Sequence, residues 1–165
     1  MTTALTRFNE DADAAREILL AAVRVPRWAD EIVAGRPYAG VEDVVRAAET
    51  AADPWTDEEV DGALARHPRI GERATGDDPD AAHSAREQAG VDGSDASVAE
   101  RLRAGNLAYE ERFGHVFLIR AAGRDAEEIL AALEQRLTND PATERRVCAE
   151  QLREIAVLRL KGELA

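Results

Sequence analysis

The sequence predicts an all-α protein, a single-domain helical bundle of about seven to nine helices with one buried extended segment. Alanine, leucine, glutamate and arginine are abundant, β-branched runs are few, and apolar residues recur mainly at helical spacing. The chain has 165 residues, close to the usual size of one domain, and contains no internal repeat or linker-like tract. We therefore expect one domain over residues 1–165.

The first half of the chain divides at helix caps and breakers. Three helices are expected from about Asn9, a candidate cap, to before Pro26, through Trp28 to Gly35, and from Val41 to Asp53-Pro54. Thr56 and Glu59 are then expected to form a capping box, in which each side chain accepts a hydrogen bond from the other residue's amide. The helix that they open is expected to end at His67.

The second half predicts longer helices and one exception. Gly71 to Pro79 is polar and rich in Gly and Asp, so we expect an exposed loop. Helices are expected over about Asp80–Ala89, Asp95–Arg112, Asp125–Leu137 and Ala142–Leu164. Between two of them lies Phe113–Gly123, the one strongly apolar, β-favouring run. A lone strand has nothing to pair with, so we expect a buried extended segment whose amides need partners that a ligand could supply.

Charge and composition limit the function. The formal net charge is −12, which argues against nucleic acid or an anionic membrane as the partner and favours a small molecule or another copy of the chain. Cys148 is the single cysteine, so no intramolecular disulfide is possible, which fits a reducing cytoplasm. No stretch approaches the roughly 20 apolar residues that a bilayer span requires.

His67 lies in the run Arg66–Gly71, where a long helical pattern stops, and a proline follows it. Proline restricts the preceding residue to extended backbone, so His67 should leave the helix and project from a fixed position. An imidazole titrates near neutral pH, and one held in this way suits proton transfer. An ordinary turn or capping histidine has the same local sequence, so this turn alone leaves both interpretations open.

Arg159 interrupts the apolar face of the last predicted helix. Leu152, Ile155 and Ala156 share one face at one-turn spacing and should point into the core, and Arg159 falls within the same stripe. A guanidinium is costly to bury without an anion, so Arg159 needs a carboxylate from the protein or from a ligand. A structural salt bridge, or a side chain that reaches out to solvent, is the alternative.

Ser84, Glu87 and Gln88 occupy positions i, i+3 and i+4 of a predicted helix. They place a hydroxyl, a carboxylate and an amide on one face, which suits hydrogen bonding rather than packing. A solvated polar face is the alternative interpretation. His67, His83 and His115 match no compact ligand motif, so we expect no metal site.

Four short motifs follow one another in a specific order. They are His67-Pro68-x-Ile70-Gly71, Ser84-x-x-Glu87-Gln88, Phe113-Gly114-x-x-Phe117-Leu118-Ile119 and Leu158-Arg159-Leu160. In this order and separation they resemble the 2-oxo-4-hydroxy-4-carboxy-5-ureidoimidazoline (OHCU) decarboxylase family. The likeness extends over nearly the whole chain, from Phe8-Asn9 to Leu160.

The resemblance implies an all-helical homodimeric carboxy-lyase that needs no cofactor or metal and forms (S)-allantoin in the last step of urate conversion. It implies catalytic roles for His67, Glu87 and Arg159. It implies substrate binding by Pro68, Ser84, Ala85, Arg86 and Gln88 and by main-chain groups of Leu118, Ile119, Arg120, Ala121 and Ala122. Two departures affect the expected lining of the pocket: Arg120 stands where relatives often carry a cysteine, and His115-Val116 replaces a Phe-Pro pair.

Three alternatives remain open at this stage. One is a non-enzymatic helical interaction module, in which His67 caps a helix and Arg159 belongs to a salt bridge. Another is a metal-dependent hydrolase that uses the three histidines. The third is a paralogue that acts on a related ureido-imidazoline.

Overall fold

A computed structural model confirms the predicted all-α fold class. It describes residues 2–71, 83, 86–90 and 96–165, and within these residues there are eight α-helices and no β-strand. The helices are α1 (Thr3–Glu10), α2 (Ala12–Ala22), α3 (Pro26–Ala34), α4 (Val41–Ala51), α5 (Asp57–Arg66), α6 (Ala96–Phe113), α7 (Ala126–Arg136) and α8 (Pro141–Leu164). The chain divides into two compact units, residues 1–59 with 153–165 and residues 60–152. That these form one domain stays a prediction.

The first unit begins with two helices where the sequence predicted one. Asp11, and not Asn9, is the N-cap of α2: its carboxylate accepts a hydrogen bond from the amide of Ala14 at 3.0 Å. Asn9 lies in the last turn of α1, and its side chain forms hydrogen bonds with the main chain of Tyr38. Its Nδ2 donates to the carbonyl of Tyr38 at 2.9 Å, and its Oδ1 accepts from the Tyr38 amide at 2.8 Å. The predicted cap at Asn9 was therefore wrong, because a distant partner satisfies this amide.

Helix ends in the rest of this unit follow the local signals. Pro26 occupies the first turn of α3, and Gly35 ends that helix. The predicted capping box is confirmed: Thr56 Oγ1 accepts from the Glu59 amide at 3.1 Å, and Glu59 Oε1 accepts from the Thr56 amide at 2.9 Å. These contacts span three residues, so the sequence alone was enough to place them.

Arg27 and Glu59 form a two-pronged ion pair between α3 and the start of α5. Nε of Arg27 donates to Oε2 at 2.8 Å, and Nη2 donates to Oε1 at 2.9 Å. Partial burial would raise the pKa of Glu59, but the hydrogen bonds from Arg27 and Thr56 outweigh it and hold that pKa below its ordinary value.

The core of the first unit gathers around two tryptophans. Trp28 is fully buried, its Nε1 donates to the carbonyl of Ala48 at 2.9 Å, and its ring lies 6.0 Å from that of Trp55. Phe8, Leu19, Ile32, Val44 and Val45 are among the apolar residues buried in this unit. The amphipathic faces of α1 to α4 therefore have one apolar centre.

In the second unit, α6 packs against α7. Gly105 allows a close approach, because a Cβ at this position would lie 2.6 Å from Cδ2 of Leu133. Leu102, Tyr109, Ile129 and Leu133 are buried in the same core. The observed bounds of α6, α7 and α8 lie within one residue of those predicted, and α5 ends at Arg66, directly before His67, as expected.

The region between α5 and α6 is described only in part. The predicted loop to Pro79 lies outside the described residues apart from Gly71. Of the helix expected over Asp80–Ala89, His83, Arg86 and Glu87 are helical, and a single 3₁₀ turn covers Gln88–Gly90. No helix within the described ranges is long and apolar enough to cross a membrane.

Candidate active site

His67 is presented by a turn that α6 holds in place. The residue directly follows α5 and is half-buried, and its amide donates to the carbonyl of Leu64 at 3.3 Å. On α6, Asn106 Nδ2 donates to the carbonyl of Ile70 at 2.9 Å, and Glu110 accepts from Arg69 Nε at 2.8 Å. The predicted exit of His67 from the helix is confirmed, and the turn that follows it is fixed by side chains that lie far away in sequence.

One hydrogen bond joins this turn to the second sequence motif. The amide of Gly71 donates to Gln88 Oε1 at 3.0 Å. Gly71 has a φ of +89°, a conformation that glycine adopts without strain. Gln88 directly follows Glu87, which is half-buried and helical. The His67 and Glu87 segments, 20 residues apart in the chain, are therefore linked through Gln88.

Gln88 keeps further hydrogen-bonding capacity. Its amide oxygen has a second lone pair, and its nitrogen offers two N–H groups. The structure thus gives Gln88 a connecting contact with Gly71, and the substrate contact that the family resemblance implies for Gln88 stays a prediction. His83 is buried, and its Nδ1 lies 3.0 Å from Arg86 Nη2. Ser84 and Ala85 lie outside the described residues.

The predicted extended segment is confirmed as buried and non-helical. Phe117, Leu118, Ile119 and Ala121 are each at most 5% exposed, and no regular secondary structure includes them. The Arg120 amide donates to Gln151 Oε1 at 2.8 Å. In the part of the chain that the structure describes, the amides of residues 117–119, 121 and 122 make no hydrogen bond. Buried amides of this kind normally have partners, so this segment can receive the oxygens of a ligand.

A buried ion pair between Arg136 and Glu144 contacts the main chain of the extended segment. Arg136 is 6% exposed, and its Nη1 donates to the Leu118 carbonyl at 2.7 Å. Its Nε and Nη2 donate to Glu144 Oε1 at 2.8 and 2.5 Å. Tyr109 donates to the same oxygen at 2.5 Å, and Asn139 Nδ2 donates to Oε2 at 3.1 Å. The paired charges thus hold one carbonyl of the segment at a fixed position.

Sequence reasoning missed this ion pair, although a signal for it exists. Glu144 shares the apolar stripe of α8 with Cys148 and Leu152, at one-turn spacing. That is the same pattern that singled out Arg159. Burial raises the pKa of the Tyr109 hydroxyl, with contributions from Cys148 and Glu144, and burial also raises the pKa of the Cys148 thiol. Both groups therefore stay protonated as donors at neutral pH.

Arg159 lies where the periodicity placed it. It is 3% exposed, and its stripe neighbours Leu152, Ile155 and Ala156 are each 3% exposed or less. Its Nη1 donates to the carbonyl of Ala22 at 3.1 Å, within the first unit. The predicted burial is confirmed, and one of its partners is a main-chain carbonyl at the end of α2.

His115 is accounted for by local contacts. Its Nδ1 lies 2.9 Å from the Val116 carbonyl, an acceptor only, so Nδ1 carries the proton. Its ring packs edge-on against Tyr109 at 5.5 Å. Among the residues that the structure describes, no three His, Cys, Asp or Glu side chains are grouped as metal ligands would be.

Comparison with known proteins identifies the family. The sequence profile described as OHCU decarboxylase matches residues 9–161. The chain belongs to the OHCU decarboxylase family. The 2-oxo-4-hydroxy-4-carboxy-5-ureidoimidazoline decarboxylase of Amia calva is 35% identical over 140 residues, which cover 84% of this chain and 80% of that protein. The protein of the same name from Haloferax volcanii is 30% identical over 135 residues, covering 82% and 79%.

A solved structure supports the family fold. The crystal structure of OHCU decarboxylase in the presence of (S)-allantoin matches with a TM-score of 0.73 at 22% identity, covering 88% of this chain and 96% of that one. In this member of the OHCU decarboxylase family, His67 and Glu87 belong to the second compact unit and Arg159 belongs to the first. The main-chain groups expected to bind substrate, Leu118 to Ala122, also lie in the second unit.

Proposed function

We propose that this chain converts OHCU to (S)-allantoin in urate degradation, without a cofactor or metal. Membership of the OHCU decarboxylase family supports the reaction. The observation that most supports the site is the hydrogen bond from Gly71 to Gln88, which links the His67 turn to the Glu87 segment. The His67 and Glu87 motifs, which the proposed reaction needs close together, are therefore connected by a hydrogen bond in the folded chain.

The reaction breaks the bond between a ring carbon and its carboxylate. The electron pair passes into the adjacent imine-type system of the substrate, and carbon dioxide leaves. Because the substrate itself accepts these electrons, the protein needs to supply orientation and a proton delivered to one face. Delivery to one face yields a single enantiomer of allantoin.

The proposed roles follow from the chemistry of the side chains. His67 transfers the proton, because an imidazole exchanges protons near neutral pH. Glu87 orients His67 or accepts a hydrogen bond from the substrate hydroxyl. Arg159 binds a substrate oxygen. Substrate contacts are proposed for Pro68, Ser84, Ala85, Arg86 and Gln88 and for the main chain of Leu118, Ile119, Arg120, Ala121 and Ala122.

The test is the His67→Ala variant, followed by absorbance and optical rotation on freshly generated substrate. We expect substrate to decay at the spontaneous rate and to give racemic product, while the helical circular dichroism spectrum is unchanged. Arg103→Gln is the control, since it replaces an exposed side chain outside the proposed site, and it should turn over substrate as the wild type does. Wild-type turnover by folded His67→Ala would overturn the role of His67. Racemic product at the spontaneous rate from the wild type would overturn the function.

We also propose that the active form is a homodimer in the cytoplasm. The family resemblance supports the dimer, and the single cysteine fits a reducing compartment. Sedimentation velocity of the purified chain should give twice the mass of one chain, and a monomer at assay concentration would contradict the dimer. Fluorescence microscopy of a tagged chain should give diffuse cytoplasmic signal.

A further inference from the structure

Arg120 is the only charged residue between Val116 and Gly123, in the middle of the buried segment. Both main-chain polar groups of Arg120 are hydrogen-bonded. The amide donates to Gln151 Oε1 at 2.8 Å, and the carbonyl accepts from Arg124 Nε at 2.9 Å. The side chain of Arg120 therefore starts from a fixed backbone rather than from a mobile loop.

The Arg120 side chain is half-buried, and its Nε atom lacks a hydrogen-bond partner. Its Nε is shielded from solvent and makes no hydrogen bond, and within the described part of the chain no carboxylate forms an ion pair with it. A buried donor without an acceptor is costly, and a cation is more so. Such a donor calls for an explanation, and a ligand that supplies the missing acceptor is one.

Two arginines that are more deeply buried than Arg120 show how this chain pairs a structural guanidinium. Arg136 donates three hydrogen bonds to Glu144 and the Leu118 carbonyl. Arg159 donates to the Ala22 carbonyl. Among the residues that the structure describes, neither a carboxylate nor a carbonyl accepts a hydrogen bond from the Arg120 side chain, although Arg120 lies two residues from the carbonyl that Arg136 binds.

We propose that the Arg120 side chain binds a urea-type carbonyl oxygen of the substrate, an inference that rests on the proposed function. A guanidinium matches oxygen acceptors in a fixed plane, so it orients a ligand as well as attracting it. Binding the departing carboxylate would stabilise the ground state and slow its loss. A carbonyl that persists in the product keeps its contact through the reaction. The amides of Ile119 and Ala121, which make no hydrogen bond within the described residues, suit oxygens of the same group.

The test compares ligand binding with stability in Arg120→Gln. Titration calorimetry with (S)-allantoin should show binding weakened about tenfold or more, the usual effect of losing a charge-assisted hydrogen bond. The melting temperature should stay equal or rise, because the variant removes an unsatisfied buried donor. A purely structural role would instead lower the melting temperature and leave affinity unchanged, and that result overturns the inference.

Two further variants and a second ligand sharpen the outcome. Arg120→Lys keeps the charge without the planar fork, so it should bind allantoin with intermediate affinity. Arg103→Gln removes the same charge from an exposed position and should bind as the wild type does. Hydantoin, which has the ring but lacks the ureido arm, locates the contact: weakening with both ligands assigns the ring carbonyl, and weakening with allantoin alone assigns the ureido carbonyl.

Failure of this inference is separable from failure of the proposed function. A wild type that accelerates decarboxylation, together with a folded Arg120→Gln variant that binds allantoin equally well, overturns the role of Arg120 alone. A wild type that neither binds allantoin nor accelerates the reaction overturns the function, and the role of Arg120 with it.

Discussion

Replacing Glu144 with leucine should destabilise the protein by about 3–5 kcal/mol, because it leaves the Arg136 guanidinium buried without its anion. This is a large loss for a single substitution, and we expect it because both partners are shielded from solvent: Glu144 is 0% exposed and Arg136 is 6% exposed. Glu144 accepts from Arg136 at 2.8 and 2.5 Å, from Tyr109 at 2.5 Å and from Asn139 at 3.1 Å, so one substitution removes four charge-assisted hydrogen bonds.

The assay is urea unfolding followed by circular dichroism, with a thermal scan beside it. In a chain of this length each 1 kcal/mol corresponds to roughly 2–4 °C in the melting temperature, so the expected drop is about 6–20 °C. Glu134→Ala is the control. Glu134 pairs with Arg101, both more than half exposed, and its loss should cost at most about 1 kcal/mol.

A second variant tests the cause. Arg136→Met combined with Glu144→Leu removes both buried charges, so it should be more stable than Glu144→Leu alone, by about 1–3 kcal/mol. It stays below the wild type, since the carbonyl of Leu118 and the hydroxyl of Tyr109 lose their partners. A double variant as unstable as the single one would refute the buried-charge explanation, as would a loss below about 1 kcal/mol for Glu144→Leu.

Two further predictions concern the Arg27 pair and the His67 turn. The pKa of Glu59 is lowered in the folded state, so its contribution to stability is fully present above the unfolded pKa of about 4.3 and is lost as pH falls through the folded value. Glu59→Gln should therefore unfold about 1 kcal/mol more easily than wild type at pH 7 and equally easily near pH 2, and a pH-independent difference would contradict this. Asn106→Ala removes the donor to the Ile70 carbonyl and should lower the decarboxylation rate on the order of tenfold with the helical spectrum retained; full activity would mean that the turn holds its own geometry.

Features within a few residues of one another were predictable from the sequence. The Thr56 and Glu59 capping box depends on contacts three residues apart, and it was found in full. The burial of Arg159 also followed, because helical periodicity alone places it among apolar neighbours. In both cases the deciding physics lies within a single helix.

Features decided across the chain were not predictable in the same way. Asn9 and Asp11 are both good caps, and only the contact with Tyr38, 29 residues away, assigns the cap to Asp11. The periodicity of α8 would have singled out Glu144, but not its pairing with Arg136 on α7. The link between Gly71 and Gln88 likewise depends on how two separated segments pack, which no local pattern specifies.

The segment from Phe117 to Ala122 has a consequence for evolution. Its groups without a partner in the described part of the chain are the peptide N–H groups of residues 117–119, 121 and 122, and every residue type except proline carries such a group. The buried apolar side chains at these positions can therefore be exchanged for others of similar volume, because the row of N–H donors does not depend on side-chain identity. A surface of this kind tolerates divergence that would erase a pocket built from side chains, and proline is the substitution that selection must remove.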